Sequence, residues 1–343
     1  MRRNEYSKKN QMACPQVNEV QVVGWYNKKN IGDEAYKAAF PALFDCQFRF
    51  SDTPSPDAKS YVLGGGDILS PAFLKPLLKM KGRKFIASTS FPEKIDSSLF
   101  GQFESVIVRD QQSLLNARKN GVPAIFAPDF AFVLNGSETR GRKAIVSMFQ
   151  ESKTDLYEKV VGVVVNSHLM PSHDGSAIEA SRFDRFCYEL ARSLDLTNAS
   201  VVFIPFGRAM PWDDRTSNSL VASRLKFYKK SVCIYEEMSV QKTLDLVSSL
   251  DCLVSTRLHS TIFAIANSVP FIDITHNHKG KNQLRTLSLE KTSLPYERAN
   301  VEDIRVRISD VLNRRDEIKK ELESITAQQR ALLRETVANV SFA

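Results

Sequence analysis

The sequence predicts an α/β protein with two doubly wound domains, each a parallel sheet wrapped by helices. Short β-branched or apolar runs alternate with segments of helical spacing along most of the chain, which is typical of such sheets. The length of 343 residues exceeds what one ordinary hydrophobic core contains. A polar stretch at residues 135–143, with a helix-like segment behind it, separates two alternating regions. We therefore expect one α/β domain in each region.

Four segments follow from this pattern. Residues 1–17 are polar, basic and without periodicity, so we expect a disordered tail. Residues 18–155 form the first predicted domain, and residues 156–300 form the second. Residues 301–343 combine helical periodicity with many charges, which predicts amphipathic helices packed across the body. A partner-binding helix is the alternative for this last segment.

The predicted strands are short apolar or β-branched runs. In the first domain they are residues 19–23, 47–50, 61–63, 84–87, 105–108 and 124–126, with helices at 33–44 and 111–120. The second domain begins with residues 160–165, a near-continuous apolar run typical of a strand buried on both faces. It continues with strands at 201–205, 252–255 and 271–274 and helices at 182–194 and 240–249.

Composition excludes several classes of protein. With 43% hydrophobic and 25% charged residues, the chain reads as globular, and no apolar run is long enough to span a bilayer. The N-terminus lacks the apolar core of a signal peptide, so we expect a cytoplasmic protein. Five cysteines without paired spacing argue against a disulfide framework and a zinc site.

The formal net charge of +8 favours anionic partners. These include phosphorylated small molecules, acidic glycans and phospholipid surfaces, so peripheral contact with a membrane stays open. No zinc-finger or RNP-like motif is present, so we do not predict nucleic-acid binding. Part of the excess charge lies in the tail and around Arg314 and Lys319, where a solvated surface explains it equally well. No oligomeric state is predicted.

An anion site is predicted at residues 251–260, where an apolar strand breaks into a helix that begins near Arg257 and His259. Free backbone N–H groups at a helix start bind negative groups, and Arg257 adds a planar donor fork. His259 would lie beside that anion, able to carry or release a proton near neutral pH. A surface ion pair for Arg257 and a core role for His259 are the structural alternatives.

Three further loops follow predicted strands, where ligands bind in open α/β sheets. They carry Asn30, Gly32 and Asp33 in the first, Gly64, Gly65 and Gly66 in the second, and Arg109 in the third. The first set can equally cap a helix, and the glycines can make a tight turn, since no complete phosphate-binding motif is present. For Arg109 the alternative is a surface ion pair, with Asp110 as a helix N-cap.

In their order along the chain, these motifs resemble the polysaccharide pyruvyl transferase family. The resemblance spans roughly residues 20–290 and rests on several motifs together: Asn30-Ile31-Gly32-Asp33-Glu34, Gly64-Gly65-Gly66-Asp67, Val108-Arg109-Asp110, Pro128-Asp129, and Arg257-Leu258-His259 followed by Lys279. It implies a GT-B arrangement, with two Rossmann-like domains facing each other across a cleft.

The resemblance also implies an activity. Such an enzyme moves the pyruvyl group of phosphoenolpyruvate onto two hydroxyls of a sugar or lipid-linked glycan as a ketal, without a cofactor. His259 would be the catalytic acid or base, and the substrate-binding residues would be Arg109, Arg257, Leu258, Lys279 and the three loops named above. The alternatives are a glycosyltransferase that uses a nucleotide sugar, gripped by Glu236 or Glu237, and a non-catalytic glycan-binding module.

Two segments depart from the family pattern. His276, Asn277 and His278 stand where a tyrosine, an acidic residue and a proline are usual, and residues 88–92 replace a glycine-rich loop. The first departure concerns the acceptor more than the reaction, and the second predicts a reshaped edge of the cleft. Extended backbone would place His276 and His278 on one face, but no third metal ligand is identifiable, so no metal site is predicted. His168 and His173, in a loop after the strand at 160–165, are further candidates to line the cleft.

Overall fold

The computed structural model describes residues 19–171 and 176–342. The predicted tail at 1–17 and His173 lie outside the described residues. Two six-stranded sheets, both entirely parallel, form the centres of two α/β units, so the predicted fold class is confirmed. Among the described helices, none combines the length and the apolar character needed to cross a bilayer.

The first unit is a doubly wound sheet in the strand order β2-β1-β3-β4-β5-β6. Its elements in chain order are β1 (Glu19–Val23), α1 (Ile31–Glu34), α2 (Tyr36–Leu43), β2 (Gln47–Ser51), β3 (Ser60–Gly66), α3 (Pro71–Leu78), β4 (Arg83–Thr89), β5 (Ser105–Val108), α4 (Gln111–Lys119) and β6 (Ile125–Phe126). Every residue of the central strand β3 is buried, because helices cover both faces of the sheet.

The second unit has the order β11-β8-β7-β12-β13-β14. Its elements are α5 (Glu138–Glu151), β7 (Val160–Val164), α6 (Ala177–Asp195), β8 (Ser200–Phe203), β9 (Arg208–Ala209), β10 (Trp212–Asp213), α7 (Asp214–Ala222), β11 (Ser231–Cys233), α8 (Val240–Ser248), β12 (Cys252–Ser255), α9 (Leu258–Ala266), β13 (Phe271–Thr275), α10 (His278–Thr286) and β14 (Ser293–Pro295). Strands β9 and β10 form a separate antiparallel pair.

Helix α10 begins at His278, soon after β13, in a segment where the sequence analysis places no helix. The side chain of Asn277 caps this helix by accepting hydrogen bonds from the backbone N–H groups of Lys279 and Gly280, at 3.1 and 3.2 Å. Lys279 is therefore held in the first turn of a helix. The single helix predicted at 33–44 is also divided, into α1 and α2, at Ala35.

The C-terminal segment joins the two units. It forms α11 (Val301–Asn313) and α12 (Arg315–Val337). From α12, Arg330 donates to the carbonyl oxygens of Phe132 and Ala266, at 2.8 and 2.7 Å, so one side chain links both units. Beyond the helix, Phe342 is buried with its ring 4.5 Å from that of Phe44 in the first unit. The C-terminal segment thus contacts both units.

Helix α5 packs against α8 at a position that requires glycine. A Cβ atom at Gly141 would lie 1.8 Å from the backbone oxygen of Asp245, so no larger residue fits without movement of a helix. We expect Gly141→Ala to lower the free energy of unfolding by about 1–3 kcal/mol, since overpacking outweighs the smaller gain in helix propensity. Urea denaturation measures this change.

Gly101→Ala is the matched control. Nothing lies within 4 Å of a Cβ atom built at Gly101, which has a negative φ of −62°. Its urea midpoint should equal that of the wild type. An unchanged midpoint for Gly141→Ala would contradict the close helix contact.

Candidate active site

A cleft of about 610 Å³ opens between the two units, at the carboxyl ends of their strands. Eight of the predicted site residues line it, four from each unit: Asn30, Asp33, Gly66, Arg109, Arg257, Leu258, His259 and Lys279. The remaining three, Gly32, Gly64 and Gly65, do not line the cleft. The structure therefore brings together residues that are separated by more than 200 positions in the sequence.

The three glycines outside the cleft allow its walls to form. A Cβ atom at Gly32 would lie 2.2 Å from Nδ1 of His259, and one at Gly65, where φ is +78°, would lie 2.3 Å from Tyr36. Gly64 is similarly close to Phe40, at 2.7 Å. Their role in this structure is the close approach of side chains, not contact with the space where a ligand would bind.

Backbone hydrogen bonds fix the first unit's loop against the second unit. The N–H of Ile31 donates to the carbonyl oxygen of Phe206 at 2.8 Å, and the N–H of Arg208 donates to that of Lys29 at 3.0 Å. Asn30 caps α1 by accepting from the N–H of Gly32 at 3.1 Å, so the capping alternative holds for Asn30. Asp33 is not needed as a cap.

Arg257 is held by a buried carboxylate. Its Nη2 donates to Oδ1 of Asp214 at 2.6 Å, and its Nε lies 2.5 Å from Oδ2 of the same residue. Asp214 also accepts from the backbone N–H groups of Ser167, Phe206 and Gly207, which offset the cost of burying its charge. The surface-ion-pair alternative is therefore wrong for Arg257. Asp214 was not among the site residues predicted from the sequence. The signal that could have identified it is an acidic residue in the first turn of a helix.

Arg109 is also buried and paired. Only 2% of its surface is exposed, and its Nη1 lies 3.1 Å from both Oδ2 of Asp129 and the hydroxyl oxygen of Tyr36. Its Nε donates to the hydroxyl of Ser90, which lies in the segment that departs from the family pattern. The surface-ion-pair alternative is wrong here too. Asp110 is a helix N-cap as expected, since it accepts from the N–H of Ser113 at 2.8 Å.

The imidazole of His259 is neutral at neutral pH. Burial lowers its pKa to about 4, with Arg109 and Arg257 acting in the same direction and Asp129 against it. The Tyr36 hydroxyl donates to Asp129 at 2.7 Å, so its oxygen is the acceptor for Nε2 of His259 at 3.3 Å. This arrangement favours the tautomer with hydrogen on Nε2 and a free lone pair on Nδ1. At neutral pH His259 is therefore able to accept a proton, which fits the base half of the acid-or-base role predicted from the sequence.

Asp33 is buried and unpaired. Its residue surface is 8% exposed, and within residues 19–171 and 176–342 its carboxyl group has no hydrogen-bond or ion-pair partner. A Cβ atom at Gly66, where φ is +84°, would lie 2.7 Å from Oδ1 of Asp33, so this glycine makes room for the carboxyl group. Burial raises the pKa of Asp33 to about 7, although Arg109 and Arg257 oppose the change.

Comparison with known proteins gives the family. The sequence profile of the family named polysaccharide pyruvyl transferase matches residues 5–278. The chain belongs to this family. Comparison with curated proteins gives no match.

Solved structures similar to the chain share its fold at low identity. S. aureus MnaA, solved with UDP, has a TM-score of 0.61 at 8% identity, with 94% of this chain and 95% of that chain covered. Methanocaldococcus jannaschii UDP-GlcNAc 2-epimerase, solved with UDP-GlcNAc and UDP, has 0.55 at 11% identity, with 86% and 92% covered. A UGT transferase from Siraitia grosvenorii, solved with UDP, has 0.53 at 11% identity, with 92% and 95% covered. The chain has the GT-B fold of these proteins.

At the mouth of the cleft, this member of the pyruvyl transferase family carries an ion pair between its two units. Lys279 from α10 contacts Asp67 from the loop after β3, and both side chains are about half exposed, at 46% and 43%. Lys281 is exposed and does not line the cleft. The lysine that matches the family motif is thus the one that reaches the cleft.

Histidines form part of the second unit's wall. His276 and His168 line the cleft, whereas His278 is exposed at the start of α10. His168 stacks on Trp212 with ring centroids 4.4 Å apart, and burial lowers the pKa of His276 to about 4. In the described part of the chain, no group of three or more His, Cys, Asp or Glu side chains is arranged to hold a metal ion.

The state of Asp33 predicts a pH-dependent stability. Its pKa in the fold, about 7, lies above the unfolded value of about 4, so its stabilising contribution is complete below about pH 4 and is lost as pH rises through 7. Asp33→Asn removes this loss. We expect the variant to melt at least about 3 °C above the wild type at pH 8 and at nearly the same temperature at pH 4, as measured by differential scanning fluorimetry.

Glu34→Gln is the matched control, because Glu34 pairs with Lys37 and is partly exposed. It should show no such gain. A difference between Asp33→Asn and wild type that is equal at both pH values would contradict the raised pKa.

Proposed function

We propose that this chain transfers the pyruvyl group of phosphoenolpyruvate to two hydroxyls of a sugar, forming a ketal and releasing phosphate. The observation that carries the proposal is a cleft with an arginine from each unit, Arg109 and Arg257, each fixed by a buried carboxylate, and with Lys279 at the mouth. The donor has one carboxylate and one phosphate. Each guanidinium group keeps N–H donors that its protein partners do not use, Nη2 in the case of Arg109, and the lysine adds a point charge.

The carboxylates behind the arginines orient them without occupying all their donors. Asp129 also accepts from the N–H of Ala131, and Asp214 accepts from three backbone N–H groups. These backbone hydrogen bonds stabilise both negative charges. A guanidinium group has five N–H donors. The donors that are left can bind a ligand, and their positions need no reorganisation when it arrives.

Donor binding also prepares His259 as a base. The charges of Arg109, Arg257 and Lys279 contribute to its low pKa, and a polyanionic donor offsets those charges. The pKa of the imidazole then rises toward its ordinary value, which favours uptake of the proton of an attacking hydroxyl. His259 thus acts first as a base, and the protonated imidazole can then supply that proton to the leaving phosphate.

The acceptor we propose is a sugar of a surface polysaccharide or of its lipid-linked precursor. Ring faces suited to sugar stacking lie at the cleft: Trp25 is 48% exposed and lies edge-on to Phe73, and His168 lies on the opposite wall. Leu258 adds an apolar contact beside Arg257. A lipid-linked substrate would bring the enzyme to the membrane surface.

A glycosyltransferase that uses a nucleotide sugar is the second candidate, because similar structures were solved with UDP. Its proposed sugar-gripping residues do not fit. Glu236 pairs with Lys242 and Glu237 is 70% exposed near Arg208, and neither lines the cleft.

One experiment tests the function and both alternatives. The protein is incubated with phosphoenolpyruvate and a panel of sugar acceptors, and phosphate release is followed together with a pyruvate-sized mass gain on the acceptor. Thermal shift with phosphoenolpyruvate and with nucleotide sugars runs in parallel. Stabilisation by a nucleotide sugar alone would favour the glycosyltransferase, and glycan binding without phosphate release would favour the non-catalytic module.

Arginine geometry predicts the first set of variants. Arg257→Lys and Arg109→Lys keep the charge but lose the planar guanidinium group, which both pairs with its carboxylate and keeps donors for a ligand, so the dissociation constant for phosphoenolpyruvate should rise about tenfold or more in calorimetry. Arg314→Lys, at an exposed ion pair with Glu317, is the control and should bind like wild type. If a variant of either cleft arginine folds and binds phosphoenolpyruvate like wild type, that arginine is not part of the donor site.

The ion pair at the cleft mouth predicts changes of opposite sign. Lys279→Met should raise the Michaelis constant for phosphoenolpyruvate about three- to tenfold, and this penalty should shrink at higher salt. Asp67→Asn should lower the same constant, because it frees Lys279 from a competing carboxylate. Lys281→Met is the control, since Lys281 is exposed outside the cleft. Equal effects from Lys279→Met and Lys281→Met would contradict a donor-binding role for Lys279.

A further inference from the structure

The proposed reaction needs an acid, and the neutral state of His259 leaves that role open. Transfer of the pyruvyl group turns the methylene carbon of phosphoenolpyruvate, C3, into a methyl group, so a proton must be delivered to that carbon. His259 is neutral, with its one N–H directed at Tyr36. Lys279 is occupied by Asp67 and Arg109 by Asp129.

We infer that Asp33 is the catalytic acid that protonates C3 of the donor, and that its carboxylate later accepts the proton of the second sugar hydroxyl. This inference rests on the proposed function. It adds a catalytic role to a residue that the sequence placed among the binding residues only.

Geometry separates Asp33 from the other carboxyl groups around the cleft. Asp129, Asp214 and Asp67 each pair with a cation, whereas Asp33 pairs with none in the part of the chain that the structure describes. It is nevertheless more than nine-tenths buried and lines the cleft. A buried carboxyl group without a partner is more stable as the neutral acid, which is the form that donates a proton.

The position of Asp33 is fixed from several sides. Helix α1 is capped by Asn30 and bonded to the second unit through Ile31, and Gly66 leaves space for the carboxyl oxygen. A proton donor that is held in place by its own element loses little entropy when the substrate arrives.

The charged groups that face Asp33 agree with this role. Burial is the largest influence and raises its pKa to about 7, and the charged groups that act on it are Arg109, Arg257 and Lys279, which lower the pKa, and Glu34, which raises it. A polyanionic donor would offset the three cations. Its binding therefore raises the pKa of Asp33 further, and the carboxyl group becomes fully protonated when the donor is in place.

The proton steps balance over one turnover. Asp33 gives its proton to C3, the C2=C3 electron pair forms the new C–H bond, and the first hydroxyl oxygen bonds to C2 while its proton passes to the imidazole of His259. The bond between C2 and the phosphate oxygen then breaks, and phosphate leaves with the electron pair and takes the proton from His259. The second hydroxyl oxygen bonds to C2 and its proton returns to the Asp33 carboxylate. The products are the ketal and hydrogen phosphate.

Asp33→Asn tests the step with nearly unchanged shape. Turnover with phosphoenolpyruvate and an active acceptor should fall about 10²–10⁴-fold, while the dissociation constant for phosphoenolpyruvate stays within about threefold of wild type. Glu34→Gln, which removes the neighbouring carboxylate, should keep wild-type turnover. Asp33→Ala provides a second variant should the first misfold. Retention of more than about a third of wild-type turnover in a folded Asp33 variant would overturn the inference.

Proton uptake on donor binding tests the role without turnover. Calorimetry of phosphoenolpyruvate binding at pH 7.5, in buffers of different ionisation enthalpy, counts the protons taken up. The number of protons taken up by wild type should exceed the number taken up by Asp33→Asn by about half a proton or more, because only wild type has the carboxyl group that becomes protonated. Equal uptake would overturn the inference while leaving the proposed function intact. If phosphoenolpyruvate does not bind to wild type at all, the proposed function itself falls, and the role of Asp33 falls with it.

Discussion

The candidate site depends on the backbone contact between the two units, in which the N–H of Ile31 donates to the carbonyl oxygen of Phe206 at 2.8 Å and the N–H of Arg208 donates to that of Lys29 at 3.0 Å. It fixes the loop before α1 against the loop after β8. The residue after Ile31, Gly32, has no side chain, so the ring of His259 can lie directly against its backbone. A substitution at Gly32 would therefore separate the two walls of the cleft, although this glycine faces no ligand space. Gly32 therefore affects the site through packing and not through contact with a ligand.

Local pattern was enough to predict most of the fold. The strands at 19–23, 105–108 and 252–255 have the predicted bounds, because buried parallel strands read as continuous apolar runs. Helix α10 was missed because its residues are mostly polar and the sequence offered no apolar stripe. Its start is set by the Asn277 cap and its position by packing against α4, and the second of these is a tertiary contact.

The sequence predicts which residues form the site, but it does not predict their ion-pair partners or their protonation states. Arg109, Arg257, His259 and Lys279 follow strand ends, where sequence order alone places them together. The pairing of Arg257 with Asp214 joins residues 43 positions apart, and that of His259 with Tyr36 joins residues 223 positions apart. The neutral state of His259 results from burial, and no residue type or spacing carries that information.

Charge balance explains how such a cleft can prefer a polyanion. Each cation is already paired, Arg109 with Asp129, Arg257 with Asp214 and Lys279 with Asp67, so the empty cleft has little net charge to attract a small monoanion. A ligand must instead match the free donors of both arginines at once. The exposed Lys279–Asp67 pair costs little to exchange, since such surface pairs contribute about 0–1 kcal/mol. The buried pairs stay intact, because separating one would leave an uncompensated charge at a cost of about 3–5 kcal/mol. The same argument sets Asp33 apart: as the unpaired carboxyl group facing this cleft among the described residues, it can gain and lose a proton without breaking an ion pair.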